Sequence, residues 1–159
     1  MVYAAGAAVS VLDGSSGGIL DAGRGGGSDV VAGSGASTLV GGGAGDALFC
    51  SSFAPTAATA GAGPEVIVGG NGPETLAGGS GSTVVFAGSG ADTVAAYEAL
   101  GGTLLVVGYR PGLDTLELNT ASGGRIATVS GGYGSSFTFQ SGARVVLFGV
   151  DTPPAALVS

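Results

Sequence analysis

The chain has 159 residues and a net charge of −7, from eleven acidic side chains against four arginines, with neither lysine nor histidine. Arg24, Arg110, Arg125 and Arg144 are scattered, so the clustered basic surface that neutralises phosphate is missing and nucleic acid is not expected as a partner. The absence of histidine removes the commonest general base and metal ligand, and the single cysteine, Cys50, permits neither an internal disulfide nor a zinc site.

With 35 glycines and 6 prolines, about a quarter of the chain is turn-forming, a composition that without a period signals disorder. Charged residues make up only 9 % and the mean hydropathy is +0.55, the reverse of the polar, highly charged disordered class. One domain that buries a real core is therefore expected.

In chain order, the start "MVYAAGAAVSVLDG" is apolar, lacks a basic leader region, and falls short of the roughly 18 apolar residues of a membrane span. No membrane insertion is expected. As the first coil of a stack, the uncharged part of this start, "MVYAAGAAVSV", is a poor polar cap. "GGGSDVV" then reads as an irregular rung ending at Val31, and "AGSGASTLV" (32–40) and "GGGAGDALF" (41–49) place Leu39 and Leu48 in equivalent positions. Residues 50–60, "CSSFAPTAATA", lose the glycines and read as a degenerate rung or bulging loop, with Cys50 as a small apolar residue.

Four uninterrupted nonapeptides follow: "AGAGPEVIV", "GGNGPETLA", "GGSGSTVVF" and "AGSGADTVA" (60–95). Each pairs a Gly-x-Gly turn with a short β-branched or aliphatic run, placing Ile67, Leu76, Val85 and Val94 in one register. Glycine supplies the positive φ that such turns call for. "AAYEAL" reads as one helical turn. "GGTLLVVGYRPGLDTLELN" (101–119) and "SSFTFQSGARVVLFGV" (135–150) alternate as strands, with Leu116 and Leu118 on one face, Thr115 and Glu117 on the other, and "QSGA" as a hairpin turn. Strings of the GxGxxG type invite a dinucleotide reading, but no helix follows them.

Residues 22–95 resemble the RTX family of glycine-rich nonapeptide repeats, G-G-x-G-x-D-x-U-x, which form β-helical coils and bind Ca²⁺. The resemblance implies an all-β, right-handed parallel β-roll or β-solenoid in which two nonapeptides complete a coil and strands 18 residues apart are neighbours. The fold divides into a degenerate repeat roll over 1–100 and a C-terminal β-strand segment over 101–159 that continues or caps it. In the family, the Asp at position six of each repeat and the turn carbonyls hold the ion. That position is here Ser37, Asp46, Glu65, Glu74, Thr83 and Asp92, so only two of six keep Asp. Ca²⁺ takes six to eight oxygens, which leaves Glu74 with Asp92, and Asp46 with Glu65, as the candidate metal pairs. The alternative is that these are solvated acids on turns that fold with no cofactor, preset by Pro64 and Pro73. Asp114 in "RPGLD" is expected to cap its turn. The resemblance also implies type I secretion, to whose uncleaved C-terminal signals "DTPPAALVS" is faintly similar.

If the position-eight aliphatics point inward, positions seven and nine point outward. One face then carries Val66, Val68, Val84 and Phe86, joined by Ala47 and Phe49. The other carries Thr75, Ala77, Thr93 and Ala95, with Thr38 and Val40. An outward apolar row is either covered by the C-terminal strands or an association surface. The expectation is a non-enzymatic, extracellular structural protein that forms homo-oligomers or polymers. A calcium-binding RTX module and an ice- or polysaccharide-binding solenoid are the alternatives, and without His or Lys nothing obvious activates a nucleophile.

Overall fold

The computed structural model describes residues 1–3, 10–13, 15–121 and 123–159. The nine-residue period sets its architecture: each apolar run is a strand, each glycine-rich run a turn, and successive strands alternate between two facing sheets. Among the described residues, sheet A has eight strands in spatial order: β1 (Val2–Tyr3), β3 (Ile19–Asp21), β5 (Ser37–Val40), β7 (Thr56–Thr59), β9 (Glu74–Ala77), β11 (Thr93–Tyr97), β13 (Thr115–Asn119) and β17 (Ala156–Val158). Sheet B has nine: β2 (Ser10–Leu12), β4 (Asp29–Val31), β6 (Ala47–Phe49), β8 (Glu65–Val68), β10 (Ser82–Phe86), β12 (Thr103–Val107), β16 (Arg144–Phe148), β15 (Gly134–Thr138) and β14 (Ala127–Gly131). The chain is an all-β parallel solenoid. The uncharged N-terminal segment read as a poor cap includes residues 4–9, which lie outside the described residues.

Neighbouring coils register as the period requires. Val85 lies beside Ile67 in sheet B and Val94 beside Leu76 in sheet A. Because strand side chains alternate in direction, one column per sheet points inward. Leu39, Leu76, Val94 and Leu116 from sheet A meet Leu48, Ile67, Val85 and Val106 from sheet B, all at 0 % exposure. Residues 50–60 form a rung, since β7 pairs with both β5 and β9, and it is degenerate in carrying one extra residue: Leu39 lies beside Ala58 and Leu48 beside Ile67, each 19 residues on.

The C-terminal segment continues the stack. A 3₁₀ turn at Glu98–Leu100 inserts between β11 and β12, so that Thr83 pairs with Leu104. The hairpin β14–β15 inserts between β13 and β16, so that Leu104 pairs with Val145. The hairpin extends sheet B antiparallel beyond β16. Its base is latched by Glu98, whose Oε2 accepts the Ala121 N–H and whose Oε1 accepts the Ser141 N–H, each at 3.0 Å. Neither insertion folds across an outer face.

The repeat glycines have a different role from the one their turn positions suggest. Positive φ is found at Gly17, Gly23, Gly27 and Gly45 and in the C-terminal loops, but at none of the glycines of the four regular nonapeptides. Those glycines are needed because the coils approach closely. A Cβ on Gly88 would lie 1.8 Å from the Gly70 carbonyl oxygen, and one on Gly42 would lie 1.4 Å from that of Gly23. Gly18 has nothing within 4 Å of such a Cβ. Gly88→Ala is therefore expected to destabilise the fold by about 1–3 kcal/mol through overpacking, while Gly18→Ala stays within about 0.5 kcal/mol of wild type. Denaturant titration of the two variants checks this, and equal effects would contradict the close-approach argument.

Candidate functional site

The position-six side chains, the candidate metal ligands, lie inside the roll. Asp46, Glu65, Glu74 and Asp92 are 1 %, 3 %, 3 % and 1 % exposed, so they are not the solvated acids that a surface turn suggests. The cause is geometric. Position six lies at or next to the start of its strand in the inward register, and its neighbour two residues on is a core aliphatic.

A buried carboxylate needs hydrogen bonds, and the turns supply them. Asp46 Oδ2 accepts the Gly42 N–H of its own turn at 2.9 Å, and Oδ1 accepts the Ser28 N–H of the preceding coil at 2.8 Å. Asp92 repeats the pattern with Gly88 and Glu74, both at 3.1 Å. Asp114 repeats it with Arg110 at 2.7 Å and Asp92 at 3.1 Å, while its Oδ1 also pairs with the Arg110 guanidinium. One aspartate thus closes its own turn and staples it to the coil before, as expected of Asp114 as a cap. In the glycine-poor rung, hydroxyls take over: Thr56 Oγ1 accepts the Ser51 N–H, and Ser51 Oγ accepts those of Phe53 and Ala54.

The glutamates fit less well, being one methylene longer. Both Glu65 oxygens crowd on the Gly61 N–H at 2.9 Å, and a Cβ at Gly41 would lie 2.0 Å from Oε2. Neither oxygen of Glu74, nor the Thr83 hydroxyl, has a hydrogen-bond partner. Burial pushes Glu65 up to about 7. Burial and then the neighbouring Asp92 push Glu74 up to about 8, so that at neutral pH it holds a proton beside Asp92. Burial and the charges of Glu74 and Asp92 push the Cys50 thiol up to about 12, which removes it as a nucleophile.

A Ca²⁺ ion needs several oxygens converging on one point, and at Asp46 and Asp92 it would have to share the carboxylate oxygens with the turn amides that already bond them. Among the described residues, no three of His, Cys, Asp and Glu gather as a metal-holding group.

The second candidate site is the outer face of sheet B. The expected residues are where the alternation puts them: Val66, Val68 and Val84 are part-exposed, Phe49 is 36 % exposed and Phe86 45 %. The register extends their rows well beyond the nonapeptides. Leu12, Val31, Phe49, Val68, Phe86, Val107 and Phe148 are consecutive neighbours, and beside them run Ala47, Val66, Val84, Leu105 and Val146. Leu105, Val107, Val146 and Phe148 escape a reading by period because the two insertions shift their spacing. The signal is the alternation within "TLLVV" and "RVVLF".

The outer face of sheet A is different. Thr38, Ala57, Thr75, Thr93 and Thr115 form one row, but its companion is Val40, Thr59, Ala77, Ala95 and Glu117, with Ala77 and Ala95 buried. Threonines in single file do not make a two-dimensional array. At the C-terminal end, an open groove of about 380 Å³ lies between Leu118, Ile126, Phe137, Pro153, Ala156 and Val158, and its lining carries no ionisable side chain. No helix among the described residues is long and apolar enough to cross a membrane. Comparison with known proteins finds no matching family model, no matching curated protein and no matching solved structure.

The raised glutamates fix a pH dependence. Each binds its proton more tightly folded than unfolded, so its contribution is complete below the ordinary value of 4.5 and is lost as pH rises through about 7 for Glu65 and about 8 for Glu74. The melting temperature should fall between pH 5 and pH 9, and Glu65→Gln with Glu74→Gln should flatten that fall. A melting temperature that rises over this range contradicts the assignment. Asp92→Ala orphans two turn amides and should cost about 1–3 kcal/mol in denaturant titration, whereas excess chelator should leave the β-sheet circular dichroism unchanged.

Proposed function

We propose that the chain is a non-enzymatic structural protein that self-associates through the outer face of sheet B, exported by type I secretion and assembling outside the cell. The observation that carries this reading is that face: apolar side chains in register on seven consecutive strands, which the C-terminal segment leaves open. Seven strands at about 4.8 Å spacing run about 29 Å, and strands that average about four residues span about 14 Å. The projected area is about 400 Å², against the roughly 600 Å² per partner of the smaller specific interfaces. A contiguous apolar patch of this size is often a functional surface. Burial at about 25 cal/mol per Å² of apolar surface offsets the cost of association.

The rival classes have less support. Of the carboxylates a calcium module needs, Asp46, Asp92 and Glu65 already accept turn amides, and the threonine face is one row wide. A hydrolytic site needs an acid or base free to act in a cleft: the end groove has no ionisable side chain, and in the cleft beside Pro111 the Asp114 carboxylate is held by the Arg110 and Asp92 amides and the Arg110 guanidinium. Placement outside the cell rests on the nonapeptide resemblance.

Sedimentation across a concentration series tests the reading. Wild type should associate reversibly, and Val84→Asp with Phe86→Lys should be monomeric with unchanged circular dichroism, because both side chains point away from the core. A wild type that stays monomeric at high concentration, or a double variant that associates like it, overturns the proposal.

A further inference from the structure

The longer row on sheet B alternates in size. From Leu12 onward the in-register neighbours are large, small, large, small: Leu12, Val31, Phe49, Val68, Phe86, Val107, Phe148, and then Gly134 on β15. Phe49, Phe86 and Phe148 stand out as exposed ridges, while Val31, Val68 and Val107 between them are part-exposed hollows. The ridge spacing is two rungs, or about 9.6 Å. A flat partner would meet the ridges alone. A partner with the same spacing, displaced by one rung, would fill the hollows.

We infer that the occupant of this face is a second copy of the same face, related by a twofold axis along the strand direction that passes between β8 and β10. This rests on the self-association proposed above and specifies its partner and register. Such an axis keeps the row opposite itself and reverses the order of rungs, as an isologous contact requires. Val68 then faces Phe86 of the second copy, Phe49 faces Val107, Val31 faces Phe148, and Leu12 faces Gly134. Every large side chain meets a small one. In the second row Ala47 lies opposite Leu105, and Val66 and Val84, equal in size, lie opposite each other. At the end of that row the operation sets Asp29, which shares the register of Ala47, opposite Val146. Without the one-rung displacement, Phe49 would face Phe86.

The test is an exchange of sizes across the axis, read as the dissociation constant from sedimentation equilibrium, with circular dichroism confirming that each variant folds. Val68→Phe places Phe against Phe86 of the second copy and should weaken association by about tenfold or more. Phe86→Val empties the same contact and should weaken it by a similar factor. Combining both in one chain restores large against small and should return the constant to within about threefold of wild type, because the pair couples across the interface. If wild type associates and both single variants weaken it but the combination is no better than either, the twofold arrangement is overturned while self-association stands. If wild type does not associate at all, both are overturned.

Discussion

The structure depends on how its turns satisfy buried backbone amides. Coils stacked as closely as these leave no room for water between them, so the N–H groups at each corner need an acceptor within the protein. Asp46, Asp92 and Asp114 supply it, each reaching one amide four residues back and another on the coil before. Glycine makes that approach sterically possible and the aspartate makes it electrostatically tolerable. Remove either and the coil spacing must open.

This division of labour frees the outer faces. Inward positions are committed to two aliphatic columns and two polar edges, while positions seven and nine carry no structural duty beyond β propensity. Val and Phe satisfy that propensity, but so would Thr, which sheet A uses. The choice of Val and Phe over Thr on sheet B, continued through Leu105, Val107, Val146 and Phe148 after the nonapeptides end, is what folding alone does not require. The proposed association would give it a reason. The C-terminal insertions are consistent with this, because the 3₁₀ turn and the hairpin leave the face continuous across both interruptions.

Much of this is legible in the sequence. Nine-residue spacing and within-strand alternation place Ile67, Leu76, Val85 and Val94 inside and Val66, Val84 and Phe86 outside, because both periods come directly from strand geometry. The state of the acids is not legible, since whether a turn carboxylate points out to solvent or in to amides depends on the corner's backbone path. The regular glycines are misleading for a related reason: positive φ is a local property, whereas the closeness of Gly88 to Gly70 is a contact between coils. The strand β14 has neither a period nor a buried face, and only its pairing with β15 defines it.

Amide hydrogen exchange in the presence of excess chelator tests the central claim most directly, read at Gly42, Gly61, Gly88 and Arg110 for the own-turn bonds and at Ser28, Glu74 and Asp92 for the bonds between coils. If side-chain carboxylates close the turns from within, the Ser28, Gly42, Glu74, Gly88, Asp92 and Arg110 amides exchange as slowly as strand amides of the core, with Gly61 less protected because its glutamate is a poorer fit. Turn amides that exchange at the rate of open loops in metal-free protein would contradict the account.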